Sequence, residues 1–154
     1  MMRALELKVP PLALLALFGL LVLVVRLWGD GPQFGFPGRI IVAGLALTAG
    51  LACMAAGVLA FRRARTSVNP LDPSVATALV TTGIYRVTRN PMYLGMALTL
   101  TALVVALGHT MTIFLIPAFM LWLTRFQIMP EERFLASRFG ADWLAWKGST
   151  RRWI

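Results

Sequence analysis

Four long apolar runs constrain this chain more than any other feature of its sequence. They cover residues 11–28, 40–61, 92–107 and 111–128. As an α-helix the second run would be about 33 Å long at roughly 1.5 Å per residue, enough to cross the hydrocarbon core of a bilayer. Only 14% of the residues are charged, whereas a soluble domain has about a quarter. The sequence therefore predicts an all-α integral membrane protein with about four transmembrane helices.

The connections between these runs indicate how the helices are grouped. Only Gly108 and His109 separate the last two runs, so a tight helical hairpin is expected there. The third run is the shortest, about 24 Å as a helix. The first run follows Arg3, as in a signal peptide, but no small-residue cleavage site precedes Asp30. We therefore expect one membrane domain over residues 1–154, in which two anchor helices in 1–61 precede a core in 62–154.

The distribution of basic residues predicts the orientation. Fifteen Lys and Arg against six Asp and Glu give a net charge of +9. Because the basic residues flank apolar runs, an anionic membrane face explains this charge better than nucleic acid does. Segment 62–89 carries five arginines and one acid, Asp72, whereas the opposite side has only Arg26 and Arg39 beside Asp30. Both termini and segment 62–89 are predicted to be cytoplasmic, with the bacterial inner membrane as the expected location.

The stretch TRNPMYLG, residues 88–95, lies where polar sequence gives way to the third apolar run. Asn90 followed by Pro91 is typical of an N-cap and a first helical residue, so a helix is predicted to begin there. The free amide groups of that helix start, with Arg86 and Arg89 just before it, favour a carboxylate or phosphate. The alternative is that these arginines only contact lipid headgroups.

A second polar stretch, Pro130 with Glu131 and Glu132, follows the fourth apolar run. It predicts a proline that turns or restarts the helix, with two acids in the first turn, where the helix dipole favours them. Two alternatives need no binding site: helix capping would explain one of the acids, and a solvated polar surface at the membrane would explain the long loops. Two carboxylates opposite a basic helix start could instead hold a zwitterion, with its carboxylate on the amides and its ammonium on the acids.

Two blocks carry a resemblance to a known family: LVTTGIYRVTRNPMYLG at residues 79–95 and EERFLASRFGADWLAWKGSTRRWI at 131–154. They resemble the isoprenylcysteine carboxyl methyltransferase family, which is related to the phospholipid methyltransferases. Asn90 stands where that family has a histidine, so the chain carries an Asn-Pro variant of the Arg-His-Pro motif. The positions in register are Leu79, Val80, Gly83, Tyr85, Arg89, Pro91, Tyr93, Glu131, Glu132, Leu135, Phe139 and Gly140.

The resemblance implies a cytoplasmic pocket for S-adenosylmethionine, walled by the connecting loop, the starts of the last two helices and the C-terminal segment. In that pocket, Asn90 and Tyr93 would lie at the methionine end of the cofactor and Glu131 would take its amino group. The full set of implied cofactor-binding residues is Thr77, Ala78, Leu79, Val80, Tyr85, Arg89, Asn90, Pro91, Met92, Tyr93, Glu131 and Glu132.

The residues that would contact the methyl acceptor are less closely matched. Gln127 stands where the prenylcysteine enzymes have a substrate-binding arginine, and Arg125 lies two residues earlier. Both are substrate candidates. A charge at the depth of Arg125 usually faces a partner or a polar cavity, although its long side chain could also reach the surface. Methyl transfer from a sulfonium depends mostly on alignment, so no catalytic side chain is predicted. No cluster has metal-ligand spacing, so no metal is predicted.

The function that follows is S-adenosylmethionine-dependent methyl transfer to a lipophilic carboxylate, thiol or amine taken from the bilayer. The expected partners are this lipid or small-molecule substrate and the membrane lipids, while the oligomeric state is not predicted. One alternative is a membrane NADPH-dependent reductase of the sterol-reductase type, which would need basic residues for the extra phosphate and a proton donor. Another is a non-enzymatic membrane subunit. The adjacent acids Glu131 and Glu132 suit the amino group of a methionine moiety better than a nicotinamide cofactor.

Overall fold

The computed structural model describes residues 5–66, 69, 71 and 77–154. Arg3, named in the comparison with a signal peptide, and Asp72, named in the charge argument, lie outside the described residues. The described part is helical and contains no strand, which confirms the predicted all-α class for that part. Its α-helices are α1 (Pro11–Trp28), α2 (Arg39–Arg63), α3 (Pro91–Leu107), α4 (Leu115–Leu123) and α5 (Met129–Ser149).

Three helical segments of the described chain are long and apolar enough to cross a membrane. They are α1, α2 and the continuous helical stretch Thr110–Ser149, which contains α4 and α5. The helix α3 is shorter, as its apolar run predicted. The protein is therefore an integral membrane protein. Three helical segments of its described part are long enough to span the membrane, and the shorter helix α3 packs among them.

The polar segments meet at one end of the helix bundle. There the Leu7 N–H donates to the Phe126 carbonyl at 3.0 Å, and the Arg89 N–H donates to the Arg151 carbonyl at 2.9 Å. At the opposite end the Phe34 N–H donates to the Gly108 carbonyl at 2.7 Å. The N-terminal, connecting and C-terminal segments thus share one face, as predicted. That this face is cytoplasmic stays a prediction.

The hairpin predicted around Gly108 and His109 is present. Gly108 ends α3 with a φ of +67°, a conformation that glycine adopts without strain. His109 is buried, and a 3-10 turn over Thr110–Phe114 leads into α4. The described chain therefore reverses direction within a few residues, which sets α3 beside α4.

Glycines bring α2 and α3 into close contact. A Cβ atom added to Gly50 would lie 2.7 Å from the Gly95 carbonyl oxygen, and one added to Gly95 would lie 2.5 Å from the Gly50 carbonyl oxygen. Both distances are too short for non-bonded atoms, and both partners are backbone. Small residues that allow two backbones to approach are typical of helix contacts in membranes. This contact places the first turns of α3 against the middle of α2.

We expect Gly50→Ala and Gly95→Ala each to destabilise the protein by about 1–3 kcal/mol, because overpacking a tight contact forces the backbones apart. Gly44→Ala is the matched control, since a Cβ there meets nothing within 4 Å. That substitution should instead stabilise α2 by up to about 1 kcal/mol, the helix-propensity difference between alanine and glycine. Thermal melting in detergent measures all three. Equal midpoints for Gly44→Ala and Gly95→Ala would contradict the close contact.

Pro130 was predicted to turn or restart the helix, with two acids in the first turn. It lies with Glu131 and Glu132 in the first turn of α5, as predicted, but no break in the helix precedes it. A π-helical turn over Thr124–Ile128 connects α4 to α5 without interruption, and the Met129 N–H donates to the Thr124 carbonyl across it. Ile128, at the position of an N-cap, keeps helical angles of −68° and −48°. A wider turn absorbs the proline because Pro130 has no N–H to offer the preceding turn. Glu131 and Glu132 therefore do not lie at a free amino-terminal helix tip.

A bend at Gly140 turns the second half of α5 back toward the bundle. Its φ of 48° and ψ of −115° lie outside helical values, and a positive φ favours glycine. After this bend Trp143 and Trp146 are buried against Val80 and Tyr85 of the connecting segment. The bend thus brings the C-terminal part of the chain over the start of α3.

Candidate functional site

The start of α3 was predicted correctly, but Asn90 does not cap it in the expected way. Asn90 holds the N-cap position and Pro91 is the first helical residue. The Asn90 side chain makes no capping hydrogen bond; its Nδ2 donates to the Arg152 carbonyl at 2.9 Å. The expected capping contact is absent because the C-terminal segment folds across this helix start. Asn90 consequently ties the two segments together.

A polar cluster of Tyr93, Gln127 and Glu131 lies between α3 and the π turn. The Tyr93 hydroxyl donates to Glu131 Oε1 at 2.5 Å, and Gln127 Nε2 donates to the same oxygen at 2.6 Å. Tyr93 is 5% exposed and Gln127 is fully buried. Two neutral donors thus orient one carboxylate in a secluded position. An oriented carboxylate of this kind can bind a cationic group, because charge-assisted hydrogen bonds strengthen where water is excluded.

Beside the polar cluster, Arg89, Glu132 and Arg152 form an arginine network. Arg89 Nη2 donates to Glu132 Oε1 at 3.0 Å, while Arg152 donates from Nε at 3.0 Å and from Nη2 at 2.6 Å to the two oxygens of Glu132. Arg89 Nη1 also donates to the carbonyls of Lys147 and Thr150. The two adjacent acids therefore have different surroundings: Glu132 joins the C-terminal segment to α3, and Glu131 faces Tyr93.

An aromatic cluster closes the site on the side of the connecting segment. The Trp146 Nε1 donates to the Tyr85 carbonyl at 3.0 Å, and the Trp143 and Trp146 rings meet edge to face with centroids 5.4 Å apart. Burial raises the pKa of the Tyr85 hydroxyl well above its ordinary value, and the negative charge of Glu131 raises it further. Tyr85 therefore stays neutral at any working pH.

A cleft of about 830 Å³ opens between the connecting segment and the last turns of α5. Its walls combine two aromatic rings with polar and charged side chains, a mixture that suits a flat polar ring system. The lining residues are Leu79, Thr81, Arg86, Phe139, Asp142, Ala145, Trp146, Ser149 and Thr150. Because the Thr150 carbonyl accepts from Arg89, the cleft adjoins the arginine network.

Some of the predicted cofactor residues lie away from this cleft. Thr77 is exposed, and its N–H and that of Ala78 donate to Thr66 Oγ1. Val80 is buried in the aromatic cluster, and Met92 lies against Gly57 of α2. Leu79 alone of the predicted cofactor residues lines the cleft. For all of them a role in cofactor binding stays a prediction.

The two predicted substrate residues point in different directions. Gln127 belongs to the polar cluster, whereas Arg125 donates from Nη1 to Glu6 Oε1 at 2.6 Å. The expectation that Arg125 faces a charged partner is thus correct, although the partner comes from the N-terminal segment. Contact of either residue with a substrate stays a prediction.

Sequence reasoning missed Glu6, Arg152 and Trp153. Trp153 packs against the core and its Nε1 lies 3.3 Å from Thr124 Oγ1, beside the π turn. The charges of Glu6 and Arg152 were visible in the sequence, but contacts separated by twenty or more positions have no local signal. One pattern could have indicated the ion pair of Glu6 with Arg125. Glu6 is a single acid before the first apolar run, and Arg125 is an arginine inside the fourth.

Comparisons with known proteins identify the family of the chain. A family model described as phospholipid methyltransferase matches residues 38–142, from just before α2 to the middle of α5. An uncharacterized protein of Haemophilus influenzae is 36% identical over 63 residues, which cover 41% of this chain and the whole of that protein. No solved structure matches the chain.

Proposed function

We propose that this chain, which belongs to the phospholipid methyltransferase family, transfers the methyl group of S-adenosylmethionine to a lipophilic acceptor in the bilayer. Membership of the family makes the protein a membrane methyltransferase and does not favour the reductase or the non-enzymatic subunit. The methyl donor, the acceptor and the cytoplasmic location of the site are parts of the proposal. So is the bacterial inner membrane.

The observation that carries the proposal is the polar cluster. Glu131 is held by Tyr93 and Gln127, which orient its carboxylate. A cation beside a carboxylate favours its charged form, so the cluster suits the ammonium group of a methionine moiety. Tyr93 belongs to the first turn of α3, and the amide groups of that helix start suit the carboxylate of that moiety. A zwitterion would thus be bound at both of its charges.

The cleft beside the arginine network suits the adenosyl group of the donor. An adenine ring needs flat apolar faces and a few polar partners, and the cleft beside the arginine network offers Phe139, Trp146 and Thr81. Trp146 of this cleft packs beside Tyr85, with ring centroids 6.3 Å apart, and the charge of Glu131 contributes to the raised pKa of Tyr85. We therefore place the adenosyl group in the cleft and the amino acid group between α3 and the π turn.

The transfer itself requires alignment rather than a reactive side chain. In the transfer, the acceptor atom would bond to the methyl carbon as the carbon–sulfur bond breaks and the sulfonium becomes a neutral thioether, and an acceptor that carries a proton would lose it to water. Holding both reactants in line supplies much of the rate. A buried setting also keeps water from competing for the methyl group. In this arrangement Glu131 fixes the donor, Tyr93 and Gln127 fix Glu131, and the acceptor enters from the membrane.

A thermal-shift comparison of three ligands tests the proposed function. S-adenosylmethionine and its demethylated product should both raise the melting temperature of the purified protein, because a ligand stabilises the folded state that binds it. At a concentration of 100 times the dissociation constant the stabilisation is about 2.7 kcal/mol. NADPH, the control, should leave the midpoint unchanged. Stabilisation by NADPH alone would instead support a reductase.

A further inference from the structure

The N-terminal strap, residues 5–10, lies outside the family-matched region but is attached to the helix that carries the polar cluster. Its Leu7 N–H donates to the Phe126 carbonyl at 3.0 Å, and Val9 packs against the hydrophobic core. In a regular α-helix the Phe126 carbonyl would accept from residue 130, which is a proline and has no N–H. The strap thus supplies the hydrogen bond that Pro130 cannot supply.

Glu6 of the strap adds an ionic contact on both sides of the π turn. Its carboxylate accepts from Arg125 Nη1 at 2.6 Å, inside the turn, and from Arg133 Nη2, beyond it. The hydrogen bond from Arg125, together with the charge of Arg133, holds the pKa of Glu6 below its ordinary value, so this residue stays anionic near neutral pH. One carboxylate therefore links two arginines that flank the wide turn.

The same turn determines where the polar cluster points. Gln127 lies within it and Glu131 shortly after it, and the turn holds one more residue than an α-turn does. Glu131 accepts from both Tyr93 and Gln127. Replacing the π turn by an α-turn would rotate the following helix by about 100°, the angle of one residue. Glu131 would then turn away from Tyr93, since its helix would be rotated relative to α4.

We propose that Glu6 is a positioning residue: through Arg125 and Arg133 it stabilises the π turn, and the π turn directs Glu131 toward Tyr93. The backbone supports this role, since Leu7 has a φ of 57°, which is costly for a leucine and persists only where surrounding contacts enforce it. The inference rests on the proposed function, because the polar cluster is the site at which the methyl donor would bind. It adds a determinant of donor binding from outside the matched family region.

Glu6→Gln tests this inference, with Lys8→Gln as the matched control in the same strap and Glu6→Asp as the conservative variant. Glu6→Gln should raise the KM for S-adenosylmethionine roughly tenfold, since small displacements of a binding group can cost up to about a hundredfold, while kcat falls much less. Glu6→Asp should recover most of the loss. Lys8 is exposed, and Lys8→Gln should match the wild type in both constants.

Hydrogen exchange supplies a second readout that needs no ligand. The Met129 amide, which donates across the π turn, should exchange at least tenfold faster in Glu6→Gln than in Lys8→Gln, because the turn then opens more often. Unchanged exchange at Met129 would overturn the inference, whether or not the wild type binds the donor. Faster exchange with an unchanged KM would overturn it too, because the turn would not then control the site. Failure of the wild type to bind the donor counts against the proposed function instead.

Discussion

Glu131→Gln lowers the affinity for S-adenosylmethionine about 100-fold, because it removes the charge that binds the donor's amino group. A hydrogen bond to a charged group contributes about 1.5–3 kcal/mol, and the upper value corresponds to roughly a hundredfold in affinity. The substituted amide keeps the size of the carboxylate and can still accept from Tyr93. The loss should therefore appear in binding rather than in folding. Calorimetry with the detergent-purified protein measures the dissociation constant directly.

The neighbouring acid offers a closely matched control. Glu132→Gln makes the same chemical change one residue away, but that carboxylate is bound by Arg89 and Arg152. This variant should melt at a lower temperature and keep an affinity for the donor close to that of the wild type, measured below its own melting range. If Glu131→Gln and Glu132→Gln lowered the affinity equally, the distinction between the two acids would be wrong.

Arg89→Met lowers the free energy of unfolding by about 3–5 kcal/mol, the usual cost of removing one partner from a buried ion pair. The Arg89 side chain is 8% exposed and that of Glu132 is 13% exposed. Methionine fills similar space but leaves the carbonyls of Lys147 and Thr150 without their donor. The C-terminal segment should consequently detach from the start of α3. Thermal or denaturant unfolding in detergent measures the effect.

Arg63→Met is the control for this substitution. Arg63 is exposed at the end of α2, so its replacement should change the stability by no more than about 0.5 kcal/mol. The double variant of Arg89→Met and Glu132→Gln should lose less than the sum of the two single losses, since both substitutions remove the same Arg89–Glu132 ion pair. A double variant whose losses simply add would show that the arginine network does not act as a unit.

The sequence predicted those features that depend on neighbouring residues or on hydropathy. Asn90 and Pro91 mark the start of α3, and Gly108 marks its end, because both signals arise from local backbone chemistry. Apolar length predicted the helices, and the charge distribution predicted which segments share a face. The sequence also predicted that the paired acids, and thus Glu131, would lie opposite the start of α3. In the structure Glu131 contacts Tyr93, in the first turn of that helix.

Features that depend on distant contacts were not predictable in this way. Pro130 is compatible with a helix restart or with a π turn, and the choice depends on whether another segment satisfies the Phe126 carbonyl, as Leu7 does. Glu131 and Glu132 are adjacent and alike in sequence, yet packing gives one of them two arginines and the other a tyrosine and a glutamine. Pattern alone does not distinguish a structural acid from a binding acid.

Transfer of label from methyl-labelled S-adenosylmethionine to lipid tests the central claim most directly. The wild-type protein, reconstituted in vesicles of its host's lipids, should move label into the organic extract, and Glu131→Gln at the same donor concentration should move at least tenfold less, in line with its weaker binding. Vesicles without protein set the background. Label that enters the extract equally with the wild type and with Glu131→Gln would contradict a methyl donor bound by Glu131. So would a wild type that binds the donor and leaves the extract at background.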